Sequence, residues 1–187
     1  MVVSILRKIY SFLIDTLETI LLVGAVFLVI YIFLFRPFEV KGDSMYPSFH
    51  DGEYVLTNLI TLRFSDPKKG DVVVFKSPVE EDKDFIKRVI AASGDTVSVQ
   101  DGQVLVNGDV LDQSDYLSNT VETNPGSFLE EGETVTVPQD QYFVMGDNRP
   151  YSSDSREWGF VAKKNIIGIS FFVYWPLNKT GRIENPY

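Results

Sequence analysis

"DTVSVQDGQVLVNGDVL", residues 95–111, holds three short valine-rich runs parted by Asp101-Gly102 and Asn107-Gly108. Both dipeptides favour the left-handed backbone that a two-residue hairpin turn requires, and the second is flanked by "VLV" and "DVL". The stretch therefore predicts consecutive antiparallel strands. The same signature recurs to either side. "EYVLTNLI", "GDVVVFKSP", "DFIKRVIAA", "ETVTVP", "YFVMGD" and "GISFFVYWP" are short, rich in Val, Ile, Phe and Tyr, and bounded by Gly, Pro, Asp or Asn. Residues 36–187 are expected to form a mainly β domain, an antiparallel sheet with barrel-like character. Residues 112–134, polar and turn-rich, read as a surface excursion. Trp158, Phe171, Phe172, Tyr174 and Trp175 are expected as core aromatics of the closing strands, some of them facing lipid.

The chain begins differently. From Leu17 to Phe35 it is apolar apart from Glu18 and Thr19, and about 19 helical residues reach roughly 28 Å, close to a bilayer core. Residues 17–35 are expected to span the membrane after a cytoplasmic segment 1–16. No small-x-small cleavage site follows, which speaks against a removable leader. Arg7 and Lys8 before the span nearly balance Arg36 and Lys41 after it, so charge alone does not orient it. Of the chain's 17 Lys and Arg and 26 Asp and Glu, residues beyond 36 hold 14 and 24, a net charge of −10. Such a domain offers no bulk attraction for nucleic acid or anionic lipid. There is no cysteine, and His50 is the single histidine. Disulfides, thiol catalysis and cysteine-ligated metals are excluded, a histidine-rich metal site cannot be built, and no cofactor is expected.

In "DFIKRVI", residues 84–90, strand alternation places Phe85, Lys87 and Val89 on one face and Ile86, Arg88 and Ile90 on the other. Lys87 thus occupies a position that a strand ordinarily fills with an apolar side chain, and burial there disfavours its charged form. Its ammonium either snorkels toward solvent or toward Asp82 or Asp84, or is held neutral for chemistry. Earlier, "VKGDSMYPSF", residues 40–49, sets Ser44 on a corner between Gly42 and Pro47. A hydroxyl needs a base to become a nucleophile, and with one histidine present a lysine or a carboxylate must supply it. Finally, "GDNRPYSSDSREWGFV", residues 146–161, begins as a turn at Gly146, Asp147, Asn148 and Pro150. Ser152, Asp154 and Arg156 then alternate at period 2. The Ser152 hydroxyl could direct a lysine lone pair, and Asp154 with Arg156 could form a supporting pair.

An apolar anchor followed by "GDSMYPSF", "KKGDVVVF", "FIKRVIAASGDTV" and "GDNRPYSSDSREWGFV" resembles bacterial type I signal peptidase, a membrane-bound Ser-Lys protease family that removes signal peptides from exported proteins. The likeness runs from about residue 17 to 175. It implies a nucleophile at Ser44, a general base at Lys87, an orienting hydroxyl at Ser152, and structural support from Arg88, Asp147, Asp154 and Arg156. The Ser44 backbone N–H would be the oxyanion donor. Its partners would be exported preproteins and the bilayer, with possible proximity to the secretion translocon. The single anchor is similar to the short Gram-positive or cyanobacterial form, with the amino terminus cytoplasmic and the catalytic domain outside. Substrate contacts are expected at Val40, Gly42, Asp43 and Met45 around the serine, and at Phe85 and Ile86 beside the lysine. Met45 and the late aromatics are also expected near the bilayer. Three features depart from the family pattern. Ser48 and Phe49 replace the usual Thr and Leu, "AASGD" replaces "GLPGD", and Gly42 stands where another branch carries a hydroxyl that helps the oxyanion hole. Two other readings share these residues: a silent membrane-anchored β-module and a self-cleaving Ser-Lys repressor. The second lacks its DNA-binding module here.

Overall fold

The structure, a computed structural model, describes residues 2–80, 82–118 and 120–187; Met1, Glu81 and Asn119 lie outside the described residues. The chain divides into two compact units at Arg36 and Pro37. The first holds helix α1, Val2–Leu34, whose 33 residues extend well before the expected span. Within it, Ser4–Tyr31 is long and apolar enough to cross a membrane, and its most apolar stretch is entirely unburied. Nothing in residues 2–16 breaks a helix, since they lack Gly and Pro, so the helix starts upstream of the apolar run.

Among the described residues the second unit is built from twelve short strands. They are β1 Phe35–Glu39, which straddles the boundary, β2 Tyr54–Asn58, β3 Val72–Lys76, β4 Asp84–Ala91, β5 Thr96–Gln100, β6 Gln103–Val106, β7 Asp109–Val110, β8 Thr134–Thr136, β9 Gln141–Met145, β10 Val161–Ala162, β11 Ile166–Trp175 and β12 Gly181–Arg182. Helix α2, Ser155–Trp158, interrupts them. Among the described residues the larger sheet runs β1-β2-β11-β3-β4-β9-β10, with β12 on β11, and does not close on itself. The smaller runs β7-β6-β5-β8. From β2 onward the strand pairs of both sheets are antiparallel. The hairpin turns form where the dipeptides demanded them, with φ of 50° and 75° at Asp101 and Gly102 and 56° and 86° at Asn107 and Gly108.

Strand β4 threads the cores. Ile90 and Ala91 join Val97, Val99, Val104, Phe143 and Met145 under the small sheet. Val89 joins Val73, Phe75, Tyr142 and Val144. Val89 and Ile90 take opposite faces by ordinary alternation, and a register shift against β9 between Val89 and Ala91 lets the consecutive Ile90 and Ala91 enter the same cluster. A third cluster gathers Val40, Met45, Phe49, Val55, Val72 and Val173.

Two expectations are corrected here. Met45 is fully buried, so it neither meets a bilayer nor lines a surface; sealing such a side chain stabilises the corner beside Ser44 by about 1.5–3 kcal/mol. Trp175 and Phe171 are 50% and 37% exposed rather than core residues. Among its described residues the surface excursion at 112–134 carries no strand before β8, and it is pinned to the body. Leu129 and Thr123 are buried, and Phe128 and Leu129 N–H donate to the Arg156 carbonyl at 2.8 and 3.1 Å.

Candidate active site

Three segments far apart in sequence meet around Ser44. The first is the corner that carries it. Gly42 adopts φ of 76°, in the left-handed region open to glycine, and its N–H donates to Asp51 Oδ1 at 2.6 Å. That N–H is therefore committed and offers no second oxyanion donor. The Tyr46 N–H closes the turn onto the Asp43 carbonyl at 3.0 Å, and the Tyr46–Pro47 peptide is cis. The Ser44 N–H donates to no group among the described residues.

The second segment is β4. Lys87 is 4% exposed, and its Nζ lies 2.6 Å from Ser44 Oγ and 5.5 Å from the Phe85 ring centre. It does not snorkel to Asp84, which pairs with Lys76 at 2.7 Å instead. Burial pulls the Lys87 ammonium down to about 8 from its ordinary 10.5, and the carboxylates of Asp154 and Asp147 only partly offset that loss of solvation. The next residue, Arg88, points the other way. It grips Asp147 with Nε to Oδ1 at 2.9 Å and Nη2 to Oδ2 at 2.7 Å, donates to the Gly70 carbonyl at 2.9 Å, and stacks on Tyr116 at 4.2 Å. This buried fork ties β4 to the third segment.

That segment is residues 146–156. Its period-2 alternation is not a strand: Asp154 caps α2 instead, accepting from the Arg156 N–H at 3.2 Å. The same carboxylate accepts from Arg156 Nε and Nη2, both at 2.8 Å, and from the Gly146 N–H at 3.0 Å. Asn148 clamps the serine corner, its N–H donating to the Ser44 carbonyl at 3.0 Å and its Nδ2 to the Asp43 carbonyl at 2.9 Å. Ser152 Oγ is buried without a hydrogen-bond partner, and no bond joins it to Lys87. A Cβ built on Gly146 would collide with both Ser152 Oγ and the Ser44 carbonyl oxygen. Gly146→Ala is thus expected to push the Ser44 backbone aside. Displacements near 1 Å cost about 10²-fold in kcat, readable in steady-state kinetics beside a melting curve that shows the chain still folded.

A cleft of about 290 Å³ opens at the Ser44–Lys87 pair, lined by Phe38, Val40, Val55, Val74, Phe85 and Ile86. Of the expected substrate contacts, Val40, Phe85 and Ile86 line it; Gly42, Asp43 and Met45 do not. Ser153, rather than Ser152, reaches it. Along Asp84–Lys87, β4 is paired with β3 on one edge, while pairing with β9 starts only at Arg88, which leaves the other edge open.

Sequence reasoning missed Arg149, which is 1% exposed. Its Nε donates to the Gly146 carbonyl at 3.1 Å and its Nη1 to Thr123 Oγ1 at 3.1 Å, while burial holds its guanidinium below the ordinary value. A charged residue between Asn148 and Pro150 reads as a solvated turn, and its partner in the excursion carries no sequence signal. Among the described residues no cluster of His, Asp or Glu is arranged to hold a metal ion.

The family model described as "Signal peptidase, peptidase S26" matches residues 13–175. The chain belongs to the signal peptidase family. Its members include close relatives. Signal peptidase I of Bacillus amyloliquefaciens is 36% identical over 172 residues, covering 90% of this chain and 91% of that one. Signal peptidase IB of Staphylococcus aureus (strain N315) is 32% identical over 186 residues, covering 92% and 96%. A solved signal peptidase I from Enterococcus faecalis V583 is 30% identical, with a TM-score of 0.46 over 56% of this chain and 97% of that chain. As a signal peptidase family member the protein is a serine peptidase with a mainly antiparallel β domain behind an apolar N-terminal helix.

Proposed function

We propose that the protein is a membrane-anchored endopeptidase in which Ser44 and Lys87 form a catalytic dyad that cuts signal peptides from exported preproteins after small-x-small sites. The observation that carries this is the 2.6 Å contact between Ser44 Oγ and a lysine nitrogen held at about 8. Neutral Lys87 accepts the hydroxyl proton as Ser44 Oγ attacks the scissile carbonyl, and the Ser44 N–H receives the oxyanion. Lys87 returns the proton to the leaving amine, and then takes one from the water that hydrolyses the acyl-serine. The remaining buried groups position these two. Arg88–Asp147 and Asp154–Arg156 hold the 146–156 loop, and the unpaired Ser152 hydroxyl is free to direct the Lys87 amine.

Substrate binding follows from the cleft. An extended peptide adds to the open edge of Asp84–Lys87 and drops alternate side chains between Val40, Val74, Phe85 and Ile86. A hollow of about 290 Å³ shared among them suits alanine-sized residues. Helix α1 anchors the enzyme, its amino terminus in the cytoplasm and the β domain outside, where exported chains emerge from the translocon. Processing of one preprotein with Ala or Leu immediately before the cut tests the reading. The Ala form is expected to be cut roughly 5- to 150-fold faster, because overfilling a packed site costs roughly 1–3 kcal/mol and kcat/KM scales with it. Equal cutting of the two, or none of either, sinks it.

A further inference from the structure

The cleft at Lys87 accommodates the peptide up to the cut, and a second hollow lies beyond the serine. It encloses about 610 Å³ and is bordered by Tyr46, Pro47, Val121, Glu122, Asn148 and Pro150. Two backbone segments run from one hollow to the other. The serine corner passes from Val40, Lys41 and Ser44 in the cleft to Tyr46 and Pro47 in the hollow, and the 146–156 loop passes from Ser153 in the cleft back to Pro150 and Asn148. Asn148 joins the two segments through its bonds to the Ser44 and Asp43 carbonyls. The serine therefore stands on a ridge between the hollows.

Resting on the peptidase reading above, we propose that this second hollow binds the chain that follows the cut, and that Glu122 makes it favour a basic over an acidic residue there. An extended peptide advances about 3.3 Å per residue, so the residues next after the cut pass over the ridge onto Tyr46 and Pro47. Tyr46, 49% exposed, and the exposed Pro150 offer an apolar floor for a side-chain stem. The charge balance on the rim is one-sided. Asp147 also borders the hollow but is buried and engaged by Arg88, and Arg149, the nearby cation, is buried beneath the loop and is not part of the lining. Glu122 is exposed, and no Lys or Arg pairs with it among the described residues. Its carboxylate is left to meet the substrate.

The test uses two preproteins identical except for Lys or Glu at the third residue after the cut, with the detergent-solubilised full chain. An exposed ion pair supports a preference for Lys of about 3–5-fold in kcat/KM at low ionic strength, shrinking as salt is added. Glu122→Gln is expected to erase the preference and Glu122→Lys to reverse it. Equal cutting of both substrates by the unmodified enzyme overturns the proposal and leaves the peptidase reading intact, as does a preference that survives in both variants. If neither substrate is cut at all, the peptidase reading fails and the proposal falls with it.

Discussion

Lys87→Met is expected to lower kcat/KM by roughly 10²–10⁴-fold, the usual contribution of a positioned general base, and at the same time to make the protein more stable at neutral pH. Both effects come from the same buried nitrogen. With Lys87 held at about 8, the reactive neutral form is scarce at low pH, so log kcat/KM climbs with unit slope and levels off above that value. At pH 6 the rate should lie about a hundredfold below its plateau. The stability effect has the opposite pH dependence. A lysine whose folded value lies below its ordinary 10.5 makes the folded state shed its proton first, so between about 8 and 10.5 the unfolded chain binds more protons and stability rises with pH. Below that window the full penalty, about 3 kcal/mol for a fall of this size, weighs against folding. Removing the charge relieves it, so Lys87→Met should gain most near pH 7 and almost nothing above pH 10.5. Urea unfolding of both proteins at the two pH values reads the difference. A Met variant that keeps its activity, or that is destabilised at pH 7, contradicts a buried base.

Asp154→Ala should cost the most stability, roughly 3–5 kcal/mol, because it leaves the buried Arg156 guanidinium without its counter-charge. The carboxylate accepts four hydrogen bonds, from the N–H groups of Gly146 and Arg156 and from two Arg156 side-chain nitrogens. A melting curve measures this loss, but any structural residue would show one. Asp154→Asn separates the roles. Asp154 exerts the largest pull keeping Lys87 protonated, so neutralising it should move the rising limb of the pH–rate profile to lower pH. An unmoved limb in a folded Asn variant would mean the carboxylate only braces the loop.

The hairpins were legible because their turns need backbone conformations that few residues allow: Asp-Gly and Asn-Gly name the turn and its position. Two-residue strands such as Val161–Ala162 and Gly181–Arg182 carry no such mark, since two residues establish no alternation. In the site, Ser44 and Lys87 were visible because each is chemically out of place, a hydroxyl on a constrained corner and a lysine in an apolar strand face. The reverse holds for Asn148 and Arg149. Asn148 acts through its backbone N–H and amide onto backbone carbonyls, and Arg149 is buried by Thr123, 26 residues upstream. Such partnerships depend on three-dimensional closure, and a turn-like string of polar residues conceals them. The pairing of Asp154 with Arg156 was open to sequence reasoning because opposite charges two residues apart invite it, but the capping of α2 by Asp154 carried no separate mark.

The order of strands in the larger sheet has a kinetic consequence. Strand β11 lies between β2 and β3, so the half of the sheet that follows the serine corner and the half that carries Lys87 become neighbours only through a strand more than a hundred residues after β2. Contacts that distant must overcome loop-closure entropy before they are rewarded, and they form late. Ser44 also awaits Asn148, whose segment arrives after β9. A nascent chain is thus expected to fix Ser44 against Lys87 only once β11 and Asn148 have been made. The Ser44–Lys87 pair is therefore expected to be among the last contacts of the fold to close, so that a partly made chain would carry no blade to turn on its surroundings.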